Sequence, residues 1–171
     1  GSTVTRSYDN AAITSSNLDW YSGTGGTVFC DAVMNVVYGP SSKFPRFFEF
    51  RSSDGGTSNE SIRIIAGVLS AYTDHRASVV SDGGSVFSSN TDSETNGQLM
   101  AFAFETDNHA VSIGGTSPTT DTSGRLTSNI NQLILGGFGN ASSQTSNLHM
   151  KKFAYYPKRL PNATLQAMTE E

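Results

Sequence analysis

The sequence predicts an all-β protein, a sandwich or barrel of antiparallel strands that ends in a short helix. Short apolar runs recur along the 171 residues, and loops rich in Gly, Asn, Asp and Ser separate them. Hydrophobic residues make up 36% of the chain and charged residues 15%, with 17 Gly, a composition that disfavours a helical bundle. No segment repeats with a period of about 20–50 residues, which disfavours solenoids and propellers.

The length suits one domain with a full hydrophobic core. Residues 1–17 are polar and rich in Ser, Thr and Asn, so we expect an N-terminal arm or linker there and the folded domain over residues 18–171. Gly1-Ser2 resembles the scar of a cleaved expression tag, which predicts a domain excised from a longer protein. Cys30 is the single cysteine and lies in an apolar run, so it excludes an internal disulfide and predicts a small buried side chain.

Charge and hydropathy bear on the classes of partner. The net charge is -4, and the basic residues cluster at one place, which we interpret as a solvated face: Lys151, Lys152, Lys158 and Arg159. Nucleic-acid binding is therefore not predicted. No apolar run approaches about 18 residues, so no membrane insertion is predicted.

Each predicted strand is a run of β-branched or aromatic residues between turn residues, at positions 27–38, 46–50, 62–68, 76–80, 98–105, 110–113 and 132–135. In the fifth run large residues alternate with Ala101 and Ala103, which predicts aromatic side chains in the core and alanines beneath a second layer. Residues 105–109 predict a tight hairpin turn, which includes His109, because Asp and Asn tolerate left-handed dihedral angles.

The C-terminal segment predicts a strand, a turn containing Pro, and a helix. In the strand, Met150 and Phe153 are three residues apart, which breaks the period of two and predicts a β-bulge at Lys151-Lys152. The helix is predicted over residues 162–169, with Leu165 and Met168 buried.

Several segments resemble the concanavalin A-like lectin/glucanase superfamily, in its laminin-G-like branch, as found in bacteriophage and prophage tail fibre and virion proteins. The matching segments span residues 18–169 and include Trp20-Tyr21, Gly26–Phe29, Ala101–Ala103, Val111–Gly115, Leu133–Gly136, Lys152–Pro157 and Leu165–Thr169. The resemblance implies a jelly roll of two antiparallel sheets that binds glycans or serves as an adhesive module. It does not settle function, because the superfamily also has catalytic members.

Related domains often carry an Asp early in the last strand. Here Lys151-Lys152 occupy that place, so the sequence departs from the family pattern. Asp and Asn residues occur in the loops, but not with the spacing of a dedicated calcium loop. No cofactor is therefore predicted, and the sequence gives a bound calcium no support.

Sugar binding needs an aromatic ring that stacks on a pyranose and planar polar side chains for its hydroxyls. Two loops offer that combination, and their candidate residues are Tyr72, Asp74, His75, Arg76, Phe138 and Asn140. Trp20-Tyr21 is a third aromatic site, which we expect to pack at the first strand.

Catalysis is not predicted. Glycoside hydrolysis needs two carboxyl groups that flank one bond, and the Glu-x-Asp-x-x-Glu type of strand is absent. Glu49 stands alone and is expected to face outward, paired with Arg51 or Arg63. His75, His109 and His149 are far apart in sequence, so no metal site is predicted.

The sequence thus favours a non-catalytic, lectin-like module of a phage fibre or virion protein that attaches to bacterial surface polysaccharide. The expected location is the virion surface, outside the cell, with other fibre subunits as partners, and a trimeric parent would add avidity. Two alternatives remain open: a structural domain that decorates or assembles the virion without binding sugar, and a polysaccharide-degrading enzyme, which is disfavoured.

Overall fold

The computed structural model describes residues 11–34, 46–52, 60–66, 75–81, 84–91, 97–126, 129–137 and 148–170. Within these ranges the chain forms β-strands and one C-terminal helix. The elements are β1 (Ala11–Thr14), β2 (Gly25–Met34), β3 (Arg46–Arg51), β4 (Ser61–Ala66), β5 (His75–Ser81), β6 (Gly84–Thr91), β7 (Gly97–Glu105), β8 (His109–Ile113), β9 (Thr119–Asp121), β10 (Gln132–Leu135), β11 (Leu148–Tyr156) and α1 (Asn162–Thr169).

The strands build two antiparallel sheets. The six-stranded sheet has the order β1-β10-β3-β4-β5-β6, and the five-stranded sheet has the order β11-β2-β7-β8-β9. The chain passes repeatedly from one sheet to the other, so that β2 lies beside β7 and β11, and β10 lies beside β3. The predicted jelly-roll sandwich with a short C-terminal helix is confirmed.

The core lies between the sheets, where alternate residues of each strand meet. Aromatic rings contact each other across the interface: the centroids of Phe48 and Phe153 are 5.7 Å apart, and those of Phe50 and Tyr155 are 5.8 Å apart. Cys30 is fully buried in this core, as predicted. Burial, and to a smaller degree the nearby Asp31, raises the pKa of its thiol to about 12, so it is an inert packing residue.

The helix covers the outward face of the five-stranded sheet. Strand β7 sends Phe102 and Phe104 into the core, whereas Ala101 and Ala103 form a second buried cluster with Leu165 of α1. The predicted use of alanine beneath a second layer is therefore confirmed. Within the described residues, no helix is long and apolar enough to cross a membrane.

The buried residues of α1 differ from the prediction in one position. Leu165 and Thr169 are buried, whereas Met168 is half-buried. Positions four apart share one helix face, and the hydroxyl of Thr169 lies 2.8 Å from that of Ser112 on β8. Thr169 Oγ1 also accepts the amide of Gly115 at 3.2 Å. The polar side chain of Thr169 is therefore buried where the sequence predicts the apolar side chain of Met168.

The hairpin turn between β7 and β8 is present, and Asp107 adopts a positive φ of 56°. Its carboxylate accepts the amide of Gly124 at 2.9 Å, which ties the turn to the segment after β9. His109 is fully buried as the first residue of β8, not exposed in the turn. The reason is its register opposite Asp121 on β9.

The bulge in β11 lies between Met150 and Lys152, as predicted. Three strands were not predicted, because their sequences are short or mostly polar: β1, β6 and β9. Strand β1 falls inside the predicted 1–17 arm and pairs with β10, so Ala11–Thr14 are integrated into the six-stranded sheet.

Replacement of Leu165 by Ala tests the docking of α1. Leu165 is fully buried, so we expect the free energy of unfolding to fall by about 2–4 kcal/mol. Urea denaturation followed by far-UV circular dichroism measures the change. Leu148→Ala, at a half-buried position, is the matched control and should cost about 1 kcal/mol. Equal losses in the two variants would contradict the docking role.

Because His109 is buried, we predict that the protein loses stability in acid. Burial lowers the pKa of His109 below its ordinary 6.5, against the opposing charges of Asp121 and Asp107. The unfolded chain therefore binds the proton more readily, and stability falls as the pH drops below about 6.5. Urea unfolding between pH 7.5 and pH 5 should show this slope, and His109→Gln should reduce it. His149→Gln, at an exposed position, should leave it unchanged; no difference between the variants would refute the assignment.

Candidate functional site

The outward face of the six-stranded sheet carries a cluster of charged side chains at its centre. On β3, Phe48 and Phe50 point into the core, so Glu49 points to the other side of the sheet. The register places Glu49 directly opposite Arg63 on β4. Strands β3 and β4 occupy the middle of the sheet, and the cluster is therefore held by backbone on both sides.

Arg46 joins this pair because the strand is irregular. Residues three apart in a regular strand face opposite sides, but the register shifts between Arg46 and Phe48. The shift brings Arg46 to the face of Glu49, where Arg46 Nη1 donates to Glu49 Oε2. Arg63 Nη1 donates to the other carboxylate oxygen at 3.4 Å. Each oxygen of Glu49 thus accepts from a different guanidinium.

The members of this cluster differ in their exposure to solvent. Glu49 is 1% exposed and Arg46 is 5% exposed, whereas the side chain of Arg63 keeps 20% of its surface exposed. Arg63 is therefore the most exposed member of the three. We call Arg46, Glu49 and Arg63 the arginine cluster.

The arginine cluster lies in a field of positive charge. Burial, and the guanidiniums of Arg63 and Arg51, lower the pKa of Arg46 to about 10 although Glu49 favours its charged form. Arg51 stands two residues beyond Glu49 on β3, in register with Ser61. The guanidiniums of Arg46 and Arg63 pair with the carboxylate of Glu49, and Nε of Arg51 donates to the carbonyl of Ser52 at 3.2 Å. Such an excess of planar cationic donors suits a carboxylate or another planar anion.

The neighbouring strands complete the surroundings of the arginine cluster. Ile134 of β10 and Ser78 of β5 lie in the same row as Glu49 and Arg63, and both are buried. On β5, Arg76 is in register with Ile65, which is in register with Arg46.

The structure describes the predicted sugar-binding residues only in part. His75 and Arg76 are the first two residues of β5, and only their backbone is described. The other four lie outside the described residues: Tyr72, Asp74, Phe138 and Asn140. The predicted set therefore stays a prediction, and the register places Arg76 in the same row of the sheet as Arg46.

The five-stranded sheet offers a different outward face. Alongside α1, Lys152 covers the ring of Phe29 with its ammonium 5.3 Å from the centroid, and Lys151 approaches Asp31 at 3.6 Å. Lys151, Lys152 and Lys158 are exposed, as expected of a solvated face, whereas Arg159 is half-buried and donates to the carbonyl of Leu160 at 2.7 Å. In the described part of the chain, no group of three His, Cys, Asp or Glu residues is placed to hold a metal ion.

Sequence reasoning found part of the arginine cluster. The expected pairing of Glu49 with Arg63 is present, but the role of Arg46 was missed. Its spacing from Glu49 indicates opposite faces, and the register shift that reverses this leaves no sign in Arg46-Phe-Phe-Glu-Phe-Arg51. The recurrence of arginine in β3 and β4 is a signal that favours an anion site.

Comparison with known sequences identifies no relative: no protein-family model matches the chain, and no curated protein matches it significantly.

Comparison with solved structures shows the fold. The CBM40 module of the Ruminococcus gnavus IT-sialidase, described as bound to alpha2,3 sialyllactose, has a TM-score of 0.70 and 10% identity, and the match covers 88% of this chain and 84% of that one. The NanB sialidase from Streptococcus pneumoniae has a TM-score of 0.69 and 13% identity over 92% of this chain but only 26% of its own. A leech intramolecular trans-sialidase has a TM-score of 0.66 and 12% identity, over 86% and 23%. This chain is thus similar to a lectin-like sandwich found in sialidases and their carbohydrate-binding modules, and at these identities the likeness concerns the fold.

Removal of the carboxylate tests whether the arginine cluster is a coupled unit. Glu49→Gln leaves buried guanidinium charge without its counterion, so we expect the free energy of unfolding to fall by about 3–5 kcal/mol. Lys151→Met breaks the exposed pair with Asp31 and should cost about 0.5 kcal/mol or less. Chemical denaturation at pH 7 measures both. A cost for Glu49→Gln no greater than that of the control would mean that the cluster is not coupled.

Proposed function

We propose that this chain is a non-catalytic carbohydrate-binding module that binds an anionic sugar at the arginine cluster. The observation that carries the proposal is that two guanidiniums pair with the carboxylate of Glu49 on the outward face of the six-stranded sheet, and that a third, of Arg51, adds positive charge near Arg46. A sugar carboxylate is attracted by this positive charge, and guanidiniums bind carboxylates through two parallel hydrogen bonds. Arg63 makes the first contact, since it is the most exposed member of the arginine cluster.

The fold supports a glycan as the source of that carboxylate. Two of the solved structures that share the sandwich are described as carbohydrate-binding modules bound to alpha2,3 and alpha2,6 sialyllactose, at TM-scores of 0.70 and 0.68. A sialylated sugar carries a carboxylate. The ligand class that we propose for this chain is therefore an acidic saccharide, with sialylated and uronic-acid-containing glycans as the first candidates.

The chemistry of Glu49 supports binding without cleavage. Hydrolysis of a glycosidic bond uses two carboxyl groups on opposite sides of that bond, about 5–10 Å apart. Both oxygens of Glu49 are held by guanidiniums, so neither is free to act as an acid or a base. The enzyme alternative accordingly has less support than the binding module.

The biological setting is proposed from the sequence resemblance alone. We propose that the module belongs to a phage fibre or virion protein, works outside the cell at the virion surface, and attaches to bacterial surface polysaccharide. A shallow site on one sheet face gives weak binding, and several copies on one trimeric or clustered fibre would raise the avidity. The rival function is a structural domain that decorates the virion without recognising sugar.

Isothermal titration with acidic and neutral glycans tests the proposed function. We expect sialyllactose or an acidic bacterial polysaccharide to bind at about millimolar strength, and lactose to bind more weakly at this site. Arg63→Met should weaken acidic binding at least about tenfold, because it removes a charge-assisted contact that contributes about 1.5–3 kcal/mol. Lys152→Met, at an exposed position on the other sheet, is the matched control and should bind as the wild type does.

Three results would count against the proposal. Equal acidic binding by the wild type and Arg63→Met would remove the arginine cluster from the site. Failure of every glycan to bind, together with self-association in ultracentrifugation, would favour the decoration domain. Release of reducing ends from a polysaccharide would favour the enzyme.

A further inference from the structure

Trp20 keeps part of its surface exposed, although its ring packs against two other aromatic rings. It is the one tryptophan of the sequence, and among the described residues it is the exposed large hydrophobic side chain, at 37%. The residues on either side close the core without it: Leu18 is buried in the core, and Tyr21 packs on Phe50 with the ring centroids 5.1 Å apart. The expectation of packing thus holds for Tyr21 and holds only in part for Trp20.

The indole ring is held in place before any ligand arrives. Its Nε1 donates to the carbonyl of Asn17 at 2.9 Å. The ring lies against Tyr155 and Phe50, with centroids 5.1 Å and 6.1 Å apart. The backbone behind it is also anchored, because the amide of Ser22 donates to the hydroxyl of Tyr155 at 2.8 Å. A ring fixed on one side and open on the other loses little conformational freedom when it binds.

Polar residues lie on both sides of Trp20 in the sequence. The hydroxyls of Ser22 and Thr24 lie 2.9 Å apart, and Thr24 is exposed. Asp19 is exposed and is the one charged residue in the segment 18–24. A partly exposed aromatic ring with hydroxyl and carboxylate residues close to it in the sequence has the composition that a pyranose requires, because a pyranose has apolar C–H faces and hydroxyls around its edge.

We propose that Trp20 is a second binding site, at the end of the sandwich, which stacks on a neutral pyranose. Asp19, Ser22 and Thr24 bind the sugar hydroxyls. The sugar is neutral because the carboxylate of Asp19 accepts hydrogen bonds from hydroxyls and repels a sugar carboxylate. This inference rests on the proposed function as a carbohydrate-binding module, but it concerns a different face and the opposite charge preference from the arginine cluster.

The single tryptophan makes the test direct, because its fluorescence reports on this site alone. The wild-type protein is titrated with methyl β-galactoside, methyl α-glucoside and N-acetylglucosamine up to about 100 mM, since single stacking contacts bind at about millimolar strength. We expect at least one of them to change the emission of Trp20 with a saturable dependence. The same titration of Arg63→Met should give the same change, because that variant alters only the arginine cluster.

Saturation-transfer NMR then tests which side chains hold the sugar. The signal of the bound sugar should fall at least about threefold in Trp20→Ala and in Asp19→Asn, and should persist in Tyr156→Ala, which removes a half-buried aromatic ring on β11. If Trp20→Ala does not fold, the wild-type fluorescence and the Asp19→Asn variant still test the inference.

Emission that does not change with any neutral sugar, or that changes in proportion to concentration as for free tryptophan, would overturn the inference. So would a change that disappears in Arg63→Met. A wild-type protein that binds no acidic glycan but keeps the neutral response would refute only the proposed function at the arginine cluster.

Discussion

The pleat of β3 is the constraint on which both the core and the candidate site depend. Successive side chains of a strand point to opposite faces, so the placement of Phe48 and Phe50 between the sheets sends Glu49 to the outward face. The pairing of β3 with β4 then sets Arg63 opposite Glu49. A slip of one residue would bury the carboxylate among aromatic rings and expose the phenylalanines. The apolar core therefore fixes the position of the charged groups, and the ion pairs do not have to supply the stability of the sheet.

The two outward faces of the sandwich are used differently because their residues differ in size and charge. Alanine on β7 leaves room for α1, and Leu165 fills that room. The hydroxyl of Thr169 meets Ser112 at the end of the same contact. On the other sheet, arginines and Glu49 occupy the equivalent positions, and Glu49 forms ion pairs with Arg46 and Arg63 there. Desolvation of such charged groups is costly unless they are paired, and Glu49 pairs with both Arg46 and Arg63.

Much of the fold follows from local sequence, and less of the site does. Alternation of large and small residues in β7 and the step of three in β11 each have one simple physical interpretation, and the structure confirms both. Strand β6 is mostly Ser, Gly and Asn and becomes a strand through its pairing with β5, so its own residues carry little signal. Arg46 reaches Glu49 through a register shift, which is a property of two paired strands and not of one sequence segment. Thr169 is buried in place of Met168 because its hydroxyl forms a hydrogen bond with a hydroxyl on β8. Helix periodicity does not predict such a tertiary contact.

Rigid placement of the binding groups has a consequence for how the module would work. The guanidiniums of the arginine cluster are held by two central strands, and the indole of Trp20 is held by a hydrogen bond and two aromatic neighbours. Binding would therefore restrict few additional side chains. Weak affinity at such sites would arise from the small area of contact and not from lost conformational freedom. An increase in affinity then calls for more contacts at once, either along one glycan or between several copies of the module. A rigid, shallow module of this kind suits a multivalent surface better than a single high-affinity pocket.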